Sequence, residues 1–236
     1  MRVRAQSLLL AGAVLAAGCG AARFSAPVGE PVPDPAAFAA SLREETRPEG
    51  PEQITFSWSL NEQGSNVGGR GVVRTEEAER IRLDLFGPRG ETYLIAALVG
   101  ERYRLPPEAA NAEDLPSPAL LWASMGILKP PPDAQLVSAT ADATSAELRY
   151  ELPGGELYVY GFAGSQSEGF SLVRLQRGSS RGVIETVTVE HDAAGRLAGA
   201  RYRNLSAFRE LALSVESIRS VQSFPSDIWS PDADAR

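Results

Sequence analysis

Apolar and polar positions along this chain follow a period of two over most of its length, interrupted by two short tracts of helical period. Ile54, Phe56, Trp58 and Leu60 alternate with Thr55, Ser57 and Ser59, the pattern of a strand with one buried face. The same alternation sets Ile81, Leu83 and Leu85 against Arg80, Arg82 and Asp84, and Leu148, Tyr150 and Leu152 against Glu147, Arg149 and Glu151. Residues 67–74, 102–105, 172–177, 183–190 and 197–203 read as further strands, and Leu211, Leu213, Val215 and Val221 share the inward parity of a last one. Turn residues punctuate them at 61–65, 87–90, 100–101, 153–155 and 192–195. Gly68, Gly69 and Gly71 fall inside the second strand, where they predict a bulge or sharp coiling.

The first helical tract opens with Asp34 as cap and Pro35 in the first turn, places Phe38, Ala39 and Leu42 on one face, and stops near Arg47 ahead of Pro48 and Gly50. Ser117 caps the second, Pro118 opens it and Gly126 closes it, with Leu121 and Met125 four residues apart and Trp122 beside them. The three consecutive prolines within residues 129–133 make the next connection extended. The fold class is therefore mainly β: about ten antiparallel strands in one sheet or unclosed barrel, with two helices across one side as lids, in a single domain over residues 34–236. Residues 93–99 and 157–162 are apolar on both faces, unlike a sheet with one solvated side. Two arrangements accommodate them: a curved sheet whose second apolar set lines a cavity, or a filled two-layer sandwich.

The first eighteen residues follow a different logic. Arg2 and Arg4 precede an apolar run over residues 8–17, too short for the roughly 20 residues a membrane span needs. That is the layout of a secretory signal peptide. Leu15-Ala16-Ala17-Gly18-Cys19 resembles the bacterial lipobox, which implies cleavage before Cys19, acylation of its sulfur and of its new amine, and permanent attachment by several chains. Cys19 is the only cysteine, so no disulfide framework exists. Residues 19–33, rich in Ala, Gly and Pro, read as a lipidated flexible tether. Gly20 is not the aspartate that retains some bacterial lipoproteins at the inner membrane, which points to an outer-membrane anchor facing the periplasm.

Charge and chemistry then narrow the function. Removing residues 1–18 takes away two arginines and no acid, so the formal charge of −7 becomes −9, the wrong sign for nucleic acid. His191, the only histidine, sits where a strand meets a polar turn, and no activated nucleophile accompanies it. One histidine and one lipidated cysteine build no zinc site. Glu44-Glu45 and Glu76-Glu77 are adjacent acids whose side chains do not share a face, and residues 68–71 lack the following helix of a phosphate loop. Neither an enzyme, nor a metal, nor a cofactor is expected.

Four stretches resemble the LolA/LolB family of lipoprotein carriers: Phe56-Ser57-Trp58; Arg82-Leu83-Asp84-Leu85-Phe86-Gly87-Pro88-Arg89-Gly90-Glu91-Thr92; Leu115-Pro116-Ser117-Pro118-Ala119-Leu120-Leu121-Trp122; and the closing Phe224-Pro225-Ser226-Asp227-Ile228-Trp229. The resemblance, over roughly residues 56–229, implies an unclosed antiparallel barrel with a helical lid around an apolar cavity. It also implies a role in accepting acylated lipoproteins. In the family's membrane receptor an exposed leucine stands between the turn's proline and glycine and enters the bilayer. Here that position is Arg89, a charge costly to bury in hydrocarbon, so Arg89 is taken as a membrane- or partner-contact turn. Parity and resemblance together nominate Trp58, Leu83, Leu85, Tyr93, Ile95, Leu121, Trp122 and Met125 as cavity lining. The expected partners are the membrane through the Cys19 anchor, an acyl chain or other hydrophobic ligand, and a periplasmic carrier or envelope protein. The rival expectation is an assembly lipoprotein with a filled interior that docks onto an envelope complex.

Overall fold

A computed structural model describes residues 22–77, 79–107 and 115–231. Cys19 and the expected signal segment lie outside the described residues. Thirteen strands form one antiparallel sheet: β1 (Glu30–Pro31), β2 (Glu52–Glu62), β3 (Ser65–Glu76), β4 (Arg80–Phe86), β5 (Thr92–Val99), β6 (Arg102–Arg104), β7 (Gln135–Ala141), β8 (Ser145–Glu151), β9 (Glu156–Ser165), β10 (Gly169–Ser179), β11 (Gly182–His191), β12 (Leu197–Asn204) and β13 (Arg209–Ser220). Their spatial order is β1-β7-β8-β9-β10-β11-β12-β13-β2-β3-β4-β5-β6, so β1 and β6 are free edges and the barrel is unclosed. Two hairpin meanders meet where β13 returns to pair with β2.

The strand number exceeds the ten expected, for identifiable reasons. β1 is two residues long and contains a proline, which no alternation can reveal. In β7 the register shifts between Leu136 and Ser138, so Val137 turns out to solvent and the period of two is broken. The glycines of β3 serve a purpose other than bulging: its pairing with β2 and β4 is uninterrupted. A Cβ at Gly69 would lie 1.9 Å from the Phe86 carbonyl oxygen, and one at Gly71 would lie 2.5 Å from the Phe56 ring. Only glycine leaves room there for the neighbouring strands' groups.

Helix α1 (Pro35–Glu45) starts as the sequence requires, Asp34 Oδ1 accepting from Ala37 N at 3.0 Å. Leu42 and Ala39 pack onto the sheet, Phe38 meets Phe170 edge-to-face, and Glu45 Oε2 accepts from Phe170 N at 2.7 Å. Helix α2 (Pro118–Ser124) is buried at every position from Ala119 to Ser124, so it lies sunk within the sheet's inner side. Ser117 makes no side-chain capping bond; its carbonyl accepts from Leu120 N and Leu121 N instead. Gly126 at φ +77 ends the helix, and Ile127 N returns to Trp122 O.

Two apolar clusters share α2. Leu120, Ala119 and Ala123 join Leu148, Tyr160, Leu172, Leu175 and Val187 from β8–β11, while Leu121, Trp122 and Met125 join Ile54, Phe56, Val73, Ile81 and Leu98 from β2–β5. The single sheet curls around one helix, and the sandwich arrangement does not occur. Apolar residues on the outer face are covered locally by the two ends of the domain. A 3-10 turn, Ser226–Trp229, crosses β4 and β5, held by Arg82 Nη1 to Ile228 O at 2.7 Å and Arg104 Nη1 to Ser230 Oγ at 2.8 Å.

The expected flexible tether differs from what residues 22–33 do. Ala22 O accepts from Val183 N at 2.7 Å, Ser25 N donates to Gln176 Oε1 at 3.0 Å, and β1 pairs with β7. Its backbone finds partners on the sheet that composition alone does not reveal.

Replacing Leu120, which is fully buried between α2 and the sheet, by alanine is expected to cost about 2–5 kcal/mol. Urea unfolding monitored by circular dichroism should show a lower midpoint at an unchanged slope.

Candidate functional site

Between the inner face of the sheet and one flank of α2 lies a cavity of about 420 Å³. Trp58 and Leu60 of β2, Leu83 and Leu85 of β4, and Leu211 and Leu213 of β13 form its floor. Leu121 and Ser124 of α2 and Met125 just after it roof the cavity, and Tyr103, Leu115 and Pro116 close one side. Tyr103 is fixed by its hydroxyl donating to Pro116 O at 2.7 Å, and burial raises its pKa far above the ordinary tyrosine value. Ser124, the polar residue of the roof, spends its hydroxyl on Leu120 O at 2.9 Å, so it presents little hydrogen-bonding capacity to the cavity.

Tyr93 reaches this chamber through a bulge. Leu85 pairs with Leu94 and Phe86 with Thr92, which leaves Tyr93 unopposed on β4 and swings its ring inward. It stacks at 4.8 Å on Trp58, whose indole Nε1 donates to Arg70 O (3.0 Å) and Phe86 O (3.1 Å). Tyr93 nevertheless stays 47% exposed, so it stands at an opening of the cavity.

Six of the eight nominated residues therefore surround one chamber: Trp58, Leu83, Leu85, Tyr93, Leu121 and Met125. The other two lie elsewhere. Ile95 pairs with Asp84, opposite in parity to Leu83 and Leu85, and belongs to the outer face. Trp122 does not line the cavity: it is fully buried in the core it forms with Ile54, Phe56, Val73, Ile81 and Leu98, with Lys129 Nζ 5.0 Å above its ring. Arg89 is exposed in the tight Gly87–Gly90 turn, its amide donating to Glu91 Oε2 at 2.9 Å.

One end of the cavity is polar, and no sequence motif marked it. Glu62, Arg209, Asn204, Glu185, Arg177 and Tyr158 stand opposite one another in turn across β2, β13, β12, β11, β10 and β9. They share the parity of the apolar row Leu60, Leu211, Tyr202, Val187, Leu175 and Tyr160, and so face inward. Glu185 is only 4% exposed and accepts from Tyr202 Oη at 2.5 Å, from Asn204 Nδ2 at 3.3 Å and from Arg177 Nη1. Arg209 Nε donates to Glu62 Oε1 at 2.8 Å. Burial first, and the Glu185 carboxylate second, hold the Tyr202 hydroxyl protonated well above the usual tyrosine range. Glu62, Arg209 and Tyr202 all touch the cavity. The available signal was Glu185 itself, an acid on the same parity as Val183, Val187 and Val189.

Two other concavities, of about 230 and 630 Å³, lie toward the opposite end of the strands and are lined by polar and apolar groups in similar measure. His191 borders the smaller one, half-buried, and no nucleophile partners it among the described residues. Among the described residues no group of three or more His, Cys, Asp or Glu is placed to hold a metal.

No protein-family model matches the chain, and no curated protein matches it. Solved structures do. A LolA superfamily protein from Nitrosomonas europaea aligns with a TM-score of 0.54 at 14% identity, over 81% of this chain and 97% of that one. A DUF1329 family protein from Desulfovibrio piger aligns at 0.48 and 9% identity, over 85% and 98%. A domain described as outer membrane lipoprotein-sorting, from Vibrio parahaemolyticus, aligns at 0.47 and 12%, over 81% and 94%. The chain thus has a LolA-like fold, an open half-barrel with a helix inside.

Burial lowers the pKa of His191, with Asp192 partly offsetting it. The folded state therefore favours neutral imidazole, and stability is lost as pH falls below the ordinary histidine value toward the depressed one. The fall in Tm between about pH 7.5 and pH 5 should be smaller in His191→Gln than in the unaltered protein, read by thermal scans in matched buffers.

Proposed function

We propose that this chain is a non-enzymatic, lipid-anchored envelope protein that holds an acyl chain or a comparable hydrophobic ligand between its sheet and α2. The cavity carries the reading: about 420 Å³, apolar on floor and roof, with charged and hydroxyl groups gathered at one end. That volume lies within the roughly 300–1,000 Å³ range of small-molecule sites, and apolar walls with few polar groups are their usual chemistry. Affinity comes from apolar area withdrawn from water, and the polar row orients the ligand's head. The LolA-like fold supports the reading, because a fold of this kind leaves a space beneath its helices. The lipobox-like sequence ending at Cys19 supports the anchor and an outer-membrane, periplasm-facing location. No helix among the described residues is long and apolar enough to cross a membrane.

Purified protein titrated with a fluorescent fatty acid is expected to bind it saturably. Leu213→Trp, which puts an indole into the cavity, should weaken that binding by about tenfold, the scale of one apolar side chain's burial. Val137→Ser, on exposed β7, should leave it unchanged. Lack of saturable binding, together with one stoichiometric protein partner on purification, would select the docking role over the carrier role.

In cells fed labelled palmitate, label should enter the protein and disappear in Cys19→Ser. Label retained by the serine variant would remove the anchor from this reading.

A further inference from the structure

The hairpin connections β2–β3, β8–β9, β10–β11 and β12–β13 all lie at the end of the sheet where the polar row stands. Three large apolar residues protrude there, Phe208 at 78% exposure with Ile184 and Leu205 beside it. Leu205 N donates to Ile184 O at 2.8 Å, and Gln63 N to Phe208 O at 3.3 Å, which ties the patch to two neighbouring strands. Asn204 Oδ1 accepts from Ser206 N at 3.1 Å and Ala207 N at 2.9 Å, making the β12–β13 turn a built element.

Phe208 sits in the left-handed region, at φ +51. A glycine or asparagine adopts that conformation at less cost, and a polar side chain would also suit the exposure. The chain instead keeps a phenyl group that is strained and hydrated together. Such a combination is found where a side chain is presented to something.

We infer that this turn inserts into a lipid bilayer and seats the polar-row end of the domain on the membrane. The occupant follows from where the chain leads. Ala22 O accepts from Val183 N, the residue next to Ile184, so the N-terminal segment departs from inside the patch. Ala22 is three residue steps from Cys19, a reach of about 10 Å fully extended. The inference rests on the proposed anchor in this respect: acyl chains on Cys19 enter the bilayer within that distance of Ala22, which is hydrogen-bonded to the residue next to Ile184. Arg23 and Arg181, both exposed and in no ion pair among the described residues, flank the patch with charge suited to lipid phosphates. In this pose Glu62 and Arg209, which border both the cavity and the turn, face the headgroups, and the ligand path leads directly to the lipid.

The test uses the full chain on vesicles of phosphatidylethanolamine and phosphatidylglycerol containing lipid brominated on its acyl chains. Phe208→Trp is compared with Val137→Trp, each with Cys19 intact and with Cys19→Ser. The native tryptophans are buried and supply a constant background. Bromine quenching of the indole introduced at 208, and none at 137, is expected with Cys19 intact. In the Cys19→Ser background, Phe208→Asn should weaken vesicle partitioning by about tenfold while leaving Tm equal or higher, because it removes both the ring and the strain. Acylated protein attached to vesicles without quenching at 208 would overturn the insertion and leave the anchor standing. Quenching at 208 in protein with Cys19 intact that mass spectrometry shows to carry no acyl group would support the insertion and overturn the anchor. Equal quenching at both positions, or capture by a protein partner that protects 208 from bromine, would overturn the insertion.

Discussion

Everything in this fold depends on keeping α2 dry. The helix is buried at every position from Ala119 to Ser124, and its one hydroxyl, on Ser124, is spent on its own backbone, so it does not rest on a surface but is enclosed. One flank, with Leu120 and Ala123, completes the β8–β11 core, and the other, with Leu121, Trp122 and Met125, completes the β2–β5 core. The sheet's curl, the meeting of β13 with β2, and the inward turning of Tyr93 all serve the same enclosure. The cavity is what remains where the enclosure is incomplete, on the flank of α2 toward β2, β4 and β13.

The strands with one polar face were legible from alternation alone, and so were both helix starts, because proline and a capping residue act locally. What escaped were features set by neighbours. β7 carries a register shift that scrambles its parity, and β1 is too short to have one. Tyr93 and Ile95 share a parity in sequence, yet the bulge after Leu85 sends the first inward and leaves the second outside. Trp122 adjoins Leu121 on the helix but turns to the core, a choice of roughly a hundred degrees that no short motif encodes. The polar row is spread over six strands, and its members become one feature only when the pairing is known.

A LolA-like fold at low identity transmits an architecture, and the particular side chains decide what that architecture can hold. Arg89 occupies the turn where a membrane-entering residue stands in the family the sequence resembles, and its amide is spent on Glu91. The exposed apolar residues of this chain instead gather at the β12–β13 turn. The closed hydrogen bonding within the polar row has a further effect on the site: Arg209 answers Glu62, and Glu185 is already served by Arg177, Tyr202 and Asn204. In the proposed carrier role a ligand head arriving there would meet groups already held by one another.

The same row also settles a question of alignment between strands. Apolar alternation forbids a slip of one residue, which would turn each side chain to the wrong face, but it tolerates a slip of two. A two-residue slip of β11 against β12 that brings Val187 opposite Asn204 would carry Glu185 away from Tyr202 and Asn204. A carboxylate that is almost wholly buried would then have lost its donors, at a cost of several kcal/mol. Polar groups, placed once per strand at the same height, thus act as a ruler for six strands that hydrophobicity alone would leave free to slide.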